Sequence, residues 1–256
     1  MRIRENLHFS YAGKYSYEYG LFNVNLDSGM MQDLFAAPRT INEIAIRGKD
    51  KPYFQGIDKH SLTFPVTFAI PEPEDFNKLE SIAKWLCGQR YYKPLIFAPD
   101  IHRIYYAMFI DDSNVIYTSA DSGYVTLNVR VNAPYAYSPM FVTKEHEFNE
   151  IKEIKINNIG QYPIYPEIFV TMPGSYSAGF SVNNLTNENK GFSMSELSLN
   201  EELYINCDKQ FINTSEDNTY RYNNMEGDFL ELLPGYNKLK LQGSAEVYFK
   251  YQCKLI

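Results

Sequence analysis

One stretch in 256 residues reads convincingly as a helix, and that scarcity constrains the fold more than any other feature. It runs from Pro71 to Gly88, PEPEDFNKLESIAKWLCG. Pro73 suits the first helical position, where a missing N–H costs nothing. Glu74 and Asp75 then put negative charge in the first turn, where the helix dipole favours it. Phe76, Leu79, Ala83 and Leu86 fall on one stripe at the helical period, widened by Ile82 and Trp85. Gly88 stands where a left-handed C-cap would. The expected helix, residues 73–87, is too short to be stable alone, at about 15 residues. It needs a sheet to lie against, and strand signals dominate the rest of the chain.

Residues 7–24 read as two strands around Gly13, with Gly20 a bulge or bend in the second. Residues 27–60 are irregular. Short candidate strands such as Glu43–Arg47 are cut by Pro38, Gly48, Pro52 and Gly56. The segment is too long for a simple loop. It is either an arm or hairpin reaching from the body or a meander folded on the core. Residues 61–70 alternate, with Leu62, Phe64, Val66, Phe68 and Ile70 on one face. Pro65 cannot donate a ladder bond, so this strand lies at an edge or carries a bulge. Residues 94–98 and 103–110 follow. The latter is apolar on both faces, as expected of a central strand covered by the helix. In residues 124–132, Val125, Leu127, Val129 and Val131 point inward.

Residues 133–147 contain two prolines and lose the alternation, which sets an expected boundary between domains 1–141 and 142–256. Short strands follow at Glu167–Met172, Gly179–Asn183, Gly191–Met194, Glu202–Asp208, Tyr220–Tyr222, Lys238–Gln242 and Glu246–Leu255. Turn chemistry separates them. Pro234-Gly235, for example, fits the two central positions of a type II turn. Short, regularly spaced strands without a helix indicate a β-sandwich. The fold class is therefore mainly β: an N-terminal sandwich-like domain with one helix, then a C-terminal sandwich.

The chemistry needed for catalysis is not visible. His8, His60, His102 and His146 are isolated, and no phosphate loop, dinucleotide fingerprint or nucleophile elbow occurs. Cys87, Cys207 and Cys253 have no metal spacing, and an odd count argues against a disulfide framework. Adjacent acids occur at Asp111-Asp112, Glu201-Glu202 and Glu216-Asp217, positions more often solvated than catalytic. The expectation is no enzyme, no cofactor and no metal. A net charge of −7 disfavours a nucleic-acid clamp, though not a channel through which DNA passes. The opening MRIRENLHF carries no apolar core of a signal peptide, and no run is long enough for a membrane span. Aromatic residues reach 16%, which suits core and subunit contacts first and sugar-stacking platforms second.

Three stretches together resemble the distal tail (Dit) proteins of long-tailed phages. The opening, Phe9-Ser-Tyr-Ala-Gly13 with Ser16-Tyr-Glu-Tyr-Gly20-Leu21, is similar to that family's N-terminal pattern. So are Ile82 to Leu86, with Trp85-Leu86 on the helix, and then Leu95-Ile-Phe97 and Arg103-Ile-Tyr-Tyr-Ala107. The end resembles its closing pattern through Leu203-Tyr-Ile-Asn-Cys207 and Gly227 to Asn237, which includes Pro234-Gly235. Asn206 stands where the family often has Asp. The resemblance implies a homo-hexameric hub ring joining the major tail tube protein to the tail tip or receptor-binding proteins. It also implies a DNA exit channel, a galectin-like C-terminal sandwich, assembly in the host cytoplasm and no specific nucleic-acid or membrane binding. Gly13, Gly20, Trp85, Leu86, Pro234, Gly235 and Asn237 are the structural positions it singles out. The alternative from the residues alone is a carbohydrate-binding or carbohydrate-cleaving sandwich.

Overall fold

A computed structural model describes residues 8–24, 37–71, 74–98, 100–110, 115–117, 122–174 and 179–256. The chain divides into two units, 1–137 with Ile256 and 138–255.

The first unit is built on one antiparallel sheet. In chain order its strands are β1 (Phe9–Tyr11), β2 (Lys14–Tyr15), β3 (Phe22–Val24), β6 (Thr63–Pro71), β7 (Lys93–Phe97), β8 (Tyr105–Ile110), β9 (Val115–Tyr117) and β10 (Ser122–Val131). They lie side by side as β2-β1-β7-β8-β10-β6-β3, with β9 also pairing β10. A separate two-stranded hairpin joins β4 (Arg39–Ile44) to β5 (Tyr53–Lys59). A short β11 (Ala136–Tyr137) bridges back to Ile104. The large sheet curls strongly. Phe9 on β1 meets Phe68 on β6 at 4.9 Å although three strands intervene, and the His8 ring lies 5.3 Å from Phe22. Alternation dictates which side chains this curl encloses. Leu62, Phe64, Val66, Phe68 and Ile70 are all buried, as are Val125, Leu127, Val129 and Val131. Pro65 sits in the half of β6 that lies beyond its pairing with β3, so its missing donor leaves no gap in the ladder.

The helix α1 is Phe76–Cys87. Asp75 is its N-cap, accepting from the amides of Asn77 and Lys78. The acids at 74 and 75 therefore precede the first turn, and Pro73 lies outside the described residues. The buried stripe is Ile82, Trp85 and Leu86 with Leu79 at its margin, whereas Phe76 and Ala83 are exposed. Gly88 has φ −81°, so the C-cap is not left-handed. Three strand expectations also change. Tyr105, Ala107 and Phe109 of β8 are buried, but Tyr106, Met108 and Ile110 are only partly so, because the helix covers one face alone. Gly20 does not bulge a strand. Lys14–Tyr15 gives way to a 3-10 turn at Ser16–Tyr19, which Gly20 caps at φ +68°. The candidate strand Glu43–Arg47 is replaced by Arg39–Ile44.

The second unit is a sandwich. One sheet orders β12 (Phe141–Val142), β22 (Ala245–Tyr251), β15 (Glu167–Thr171), β18 (Glu202–Asn206) and β19 (Phe211–Thr214), with β13 (His146–Phe148) also on β22. The facing sheet orders β14 (Ile151–Asn158), β21 (Gly235–Gly243), β16 (Phe180–Asn184), β17 (Lys190–Met194) and β20 (Met225–Gly227). A last β23 spans Lys254–Leu255. Inward residues of both sheets, among them Ile168, Val247, Phe249, Val182, Phe192 and Leu241, form one core. Tyr220–Tyr222 is not a strand, and a 3-10 turn at Tyr222–Asn224 follows instead. The eight-residue β14 went unread in the sequence.

Candidate assembly interface

The sequence-distant motifs of the first unit meet at Trp85. β1 pairs β7 so that Phe9 faces Phe97 and Tyr11 faces Leu95. Trp85 rises from α1 into this strand pair. Its indole lies parallel between Phe9, at 5.7 Å, and Tyr19, at 4.6 Å, and its Nε1 donates to the Tyr11 carbonyl at 2.9 Å. Leu86 is buried beside it. Gly13 sits in the two-residue turn between β1 and β2. There Ala12 and Gly13 both have positive φ, as a type I′ hairpin requires. Burial pushes the Tyr11 phenol up to about 12, helped by nearby Cys87, and its hydroxyl donates to the Ala107 carbonyl.

Pro234, Gly235 and Asn237 belong to the second unit, where they build the turn entering β21. Gly235 has φ +91°, a region costly for any side chain. The fully buried Asn237 clamps the turn. Its Oδ1 accepts from the Leu233 amide, and its Nδ2 donates to the carbonyls of Leu233 and Gly235. Asn184 reaches the same Oδ1 from β16. A motif alone marks Asn237 as a position; only the fold shows the clamp.

Among the described residues, the titratable groups do not converge on one centre. No cluster of His, Cys, Asp and Glu among the described residues could hold a metal. Glu201 is fully buried against Arg221, whose Nε and Nη2 meet its two oxygens at 2.8 and 2.7 Å. Burial alone would raise its carboxyl. The Arg221 guanidinium, the Thr214 hydroxyl and the Ser198 amide outweigh that and hold it below the usual range. Glu202 points to the opposite, exposed face, as strand alternation requires. Glu216 and Asp217 lie on a loop, and Asp111-Asp112 falls outside the described residues. Cys207 and Cys253 are buried thiols, Cys207 pushed up to about 12 by burial, and Cys87 is exposed. On the outer face of the second unit, Phe169 and Tyr248 stack on each other at 4.6 Å, and the Lys250 ammonium lies 4.4 Å from the Phe169 centroid. Each of these two rings therefore has a face covered from within the chain.

What the first unit does present is contact surface. The β4–β5 hairpin pairs with no other strand among the described residues. Register places Ile41 opposite Ile57 and Glu43 opposite Phe54. Ile41 is 58% exposed and Phe54 65%. Ile44, Ile46 and Tyr53 are exposed as well, and Arg47, Lys49 and Lys51 crowd the connecting turn. A two-stranded hairpin with bare apolar side chains is marginal in water by itself. Tyr15, Tyr17 and Phe22 add a second exposed aromatic patch around His8.

Comparisons with known proteins agree with this picture. Residues 4–133 match a family described as a phage tail protein N-terminal domain. Residues 159–254 match the siphovirus-type tail component, C-terminal domain. A curated relative, the SPbeta prophage-derived uncharacterized protein YomH of Bacillus subtilis (strain 168), is 28% identical over 255 residues, covering 99% of this chain and 100% of that protein. Among solved structures, SPP1 Dit (gp 19.1), described as a paradigm of hub adsorption apparatus in Gram-positive infecting phages, matches with TM-score 0.72. The match has 15% identity and covers 95% of this chain and 98% of that one. A chain of the phage P2 baseplate in its activated conformation matches with TM-score 0.53 and 8% identity, over 97% and 99%. The chain belongs to the siphovirus-type distal tail (Dit) family of phage tail proteins.

Proposed function

We propose that the protein forms a hexameric hub ring that joins the major tail tube protein to the tip or receptor-binding proteins and leaves a channel for exiting DNA. Residues 1–141 make the ring and residues 142–256 form the module offered to the tip. The hub acts by assembly rather than by catalysis, and it is put together in the host cytoplasm before joining the virion. The observation that carries this reading is the unpartnered β4–β5 hairpin, whose exposed Ile41, Phe54 and Ile57 need a surface that the chain's own sheet does not give them. A neighbouring subunit supplies that surface in a ring. Closed rings are built from contacts between two different patches, and an arm meeting a body is such a contact.

Native mass measurement tests it. The expected particle weighs about six times the 29.7 kDa chain. Amide exchange should show the hairpin protected only in the assembled particle. A chain that stays monomeric at every concentration, or a hairpin equally protected in both states, overturns the proposal.

A further inference from the structure

A groove of about 630 Å³ opens beside the C-terminal end of α1. Ala12, Pro94 and the Tyr19–Trp85 stack give it an apolar floor, and Lys14, Lys84 and Lys93 line its rim. None of its described lining residues is acidic, in a chain whose net charge is −7, although Glu18 lies close enough to act on Lys14 at the rim. Lys14 is tied to the Tyr19 hydroxyl at 2.9 Å, while Lys84 and Lys93 have no hydrogen-bond or ion-pair partner among the described residues. The groove is therefore a basic, aromatic-floored site in an acidic protein.

The other end of the same helix carries the complement. Glu74 and Asp75 are exposed, and Phe76 is 81% exposed, the most uncovered phenylalanine among the described residues. Asp75 is committed to capping, which leaves Glu74 and Phe76 as an exposed acidic, aromatic knob. Knob and groove are separated by the helix, about 18 Å for 12 residues.

We infer that the Glu74–Phe76 knob of one copy seats in the Lys14, Lys84 and Lys93 groove of the next. Phe76 lies on the Tyr19, Ala12 and Pro94 floor and Glu74 meets the lysines. This rests on the ring reading and names one of its contacts. The two patches differ, so the contact is heterologous and repeats from copy to copy, as a closed ring requires. Successive helices then run head to tail, the positive end of one dipole toward the negative end of the next. A second copy is favoured over a foreign acidic protein because knob and groove lie at opposite ends of one helix, carry complementary charge and are present on every chain.

The test uses full-length protein and follows assembly by light scattering against concentration, at about 50 and about 500 mM salt. One variant carries Lys84→Glu with Lys93→Glu, and a second carries Glu74→Lys. A third combines Lys84→Glu with Glu74→Lys, and a fourth carries Phe76→Ser. All these positions are exposed or half-buried, and unchanged circular dichroism checks the fold. The expected result is assembly weakened about tenfold or more in the first, second and fourth variants, with partial recovery in the third. The charge effects should shrink at high salt. A ring forming in all variants as in the wild type overturns the inference and leaves the hub reading standing. A wild-type chain that never assembles overturns both. A groove defect that Glu74→Lys and Phe76→Ser do not share assigns the groove to a different acidic partner and likewise overturns it. A Glu-rich peptide that changes the fluorescence of Trp85, the sole tryptophan, would identify that case.

Discussion

Arg221 and Glu201 form the one buried ion pair among the described residues, and its design sets a clear expectation. Removing one partner leaves a buried charge without compensation, which typically costs about 3–5 kcal/mol. Arg221→Met should therefore lower the melting temperature of the C-terminal unit sharply, and calorimetry reads it directly. Glu201→Gln with Arg221→Met should recover much of the loss, because no bare charge remains. His146 sets the pH response. Its Nδ1 is buried with no hydrogen-bond partner among the described residues, and burial, then Lys152 and Lys144, hold its pKa below the ordinary value. The unfolded chain then takes up the proton first, at about pH 6.5. Stability is fully present above that pH and declines as pH falls through it. Urea unfolding between about pH 7.5 and 5.5 should show that slope, and His146→Phe should flatten it. Glu201, whose carboxyl is held low, adds a loss in the same direction at more acid pH. None of this was legible in the sequence. Alternation says that Glu201 and Glu202 face opposite ways, but not which faces in, because the deciding guanidinium lies 20 residues downstream. Asn237 was visible only as a letter in a motif, since its clamp depends on where the Leu233 amide and carbonyl end up.

At the scale of elements, the helix was legible in kind, but its apolar stripe is wider than the face that packs. Phe76 and Ala83 share the helical period with Leu79 and Leu86 yet stay exposed. Ile82 and Trp85, at the stripe's margin in the sequence, lie at its buried centre, because the indole N–H needs an acceptor and the Tyr11 carbonyl supplies it. That placement follows from packing against β1, which local periodicity does not contain. Trp85→Ala should cost about 3–5 kcal/mol, while Phe76→Ala should leave the unassembled chain unchanged within about 0.5 kcal/mol. Equal costs at the two positions would show that Phe76 is packed as Trp85 is. Wild-type fluorescence should be blue-shifted, in keeping with an indole 4% exposed. The clean strands, β6 and β10, were legible because four apolar residues mark the inner face of each. β14 was not. Its buried positions are Ile154, Ile156 and Asn158, two apolar residues and a polar one, and the rest mixes Lys152, Glu153, Lys155 and Asn157 with an exposed Ile151. Its place comes from an eight-pair register with β21, a partner about 80 residues away.

For the whole molecule, the question is which unit carries the assembly. The two units differ in what they expose. The sandwich of residues 138–255 satisfies its inner faces in one continuous core, and its strands show polar outer positions such as Glu246 and Lys250. The N-terminal unit leaves a hairpin with a bare apolar face. Chain length and composition did not reveal this asymmetry; the only sign was a 34-residue segment, 27–60, with no core period. Part of that segment, residues 27–36, lies outside the described residues, while 39–59 became the hairpin. A stable subunit contact buries about 1,200–2,000 Å², and an arm is one way for a small domain to reach that area. Ile41→Ser, Phe54→Ser and Ile57→Ser together should therefore abolish assembly without lowering the melting temperature of the C-terminal unit. The three side chains are already in water in the free chain, so their loss removes no core contact from the monomer. The matching test is a pair of fragments. Residues 1–141 should still assemble and 142–256 should stay monomeric in light scattering. An oligomeric 142–256 beside a monomeric 1–141 would move the ring contacts to the sandwich and leave the exposed hairpin without a partner in the hub.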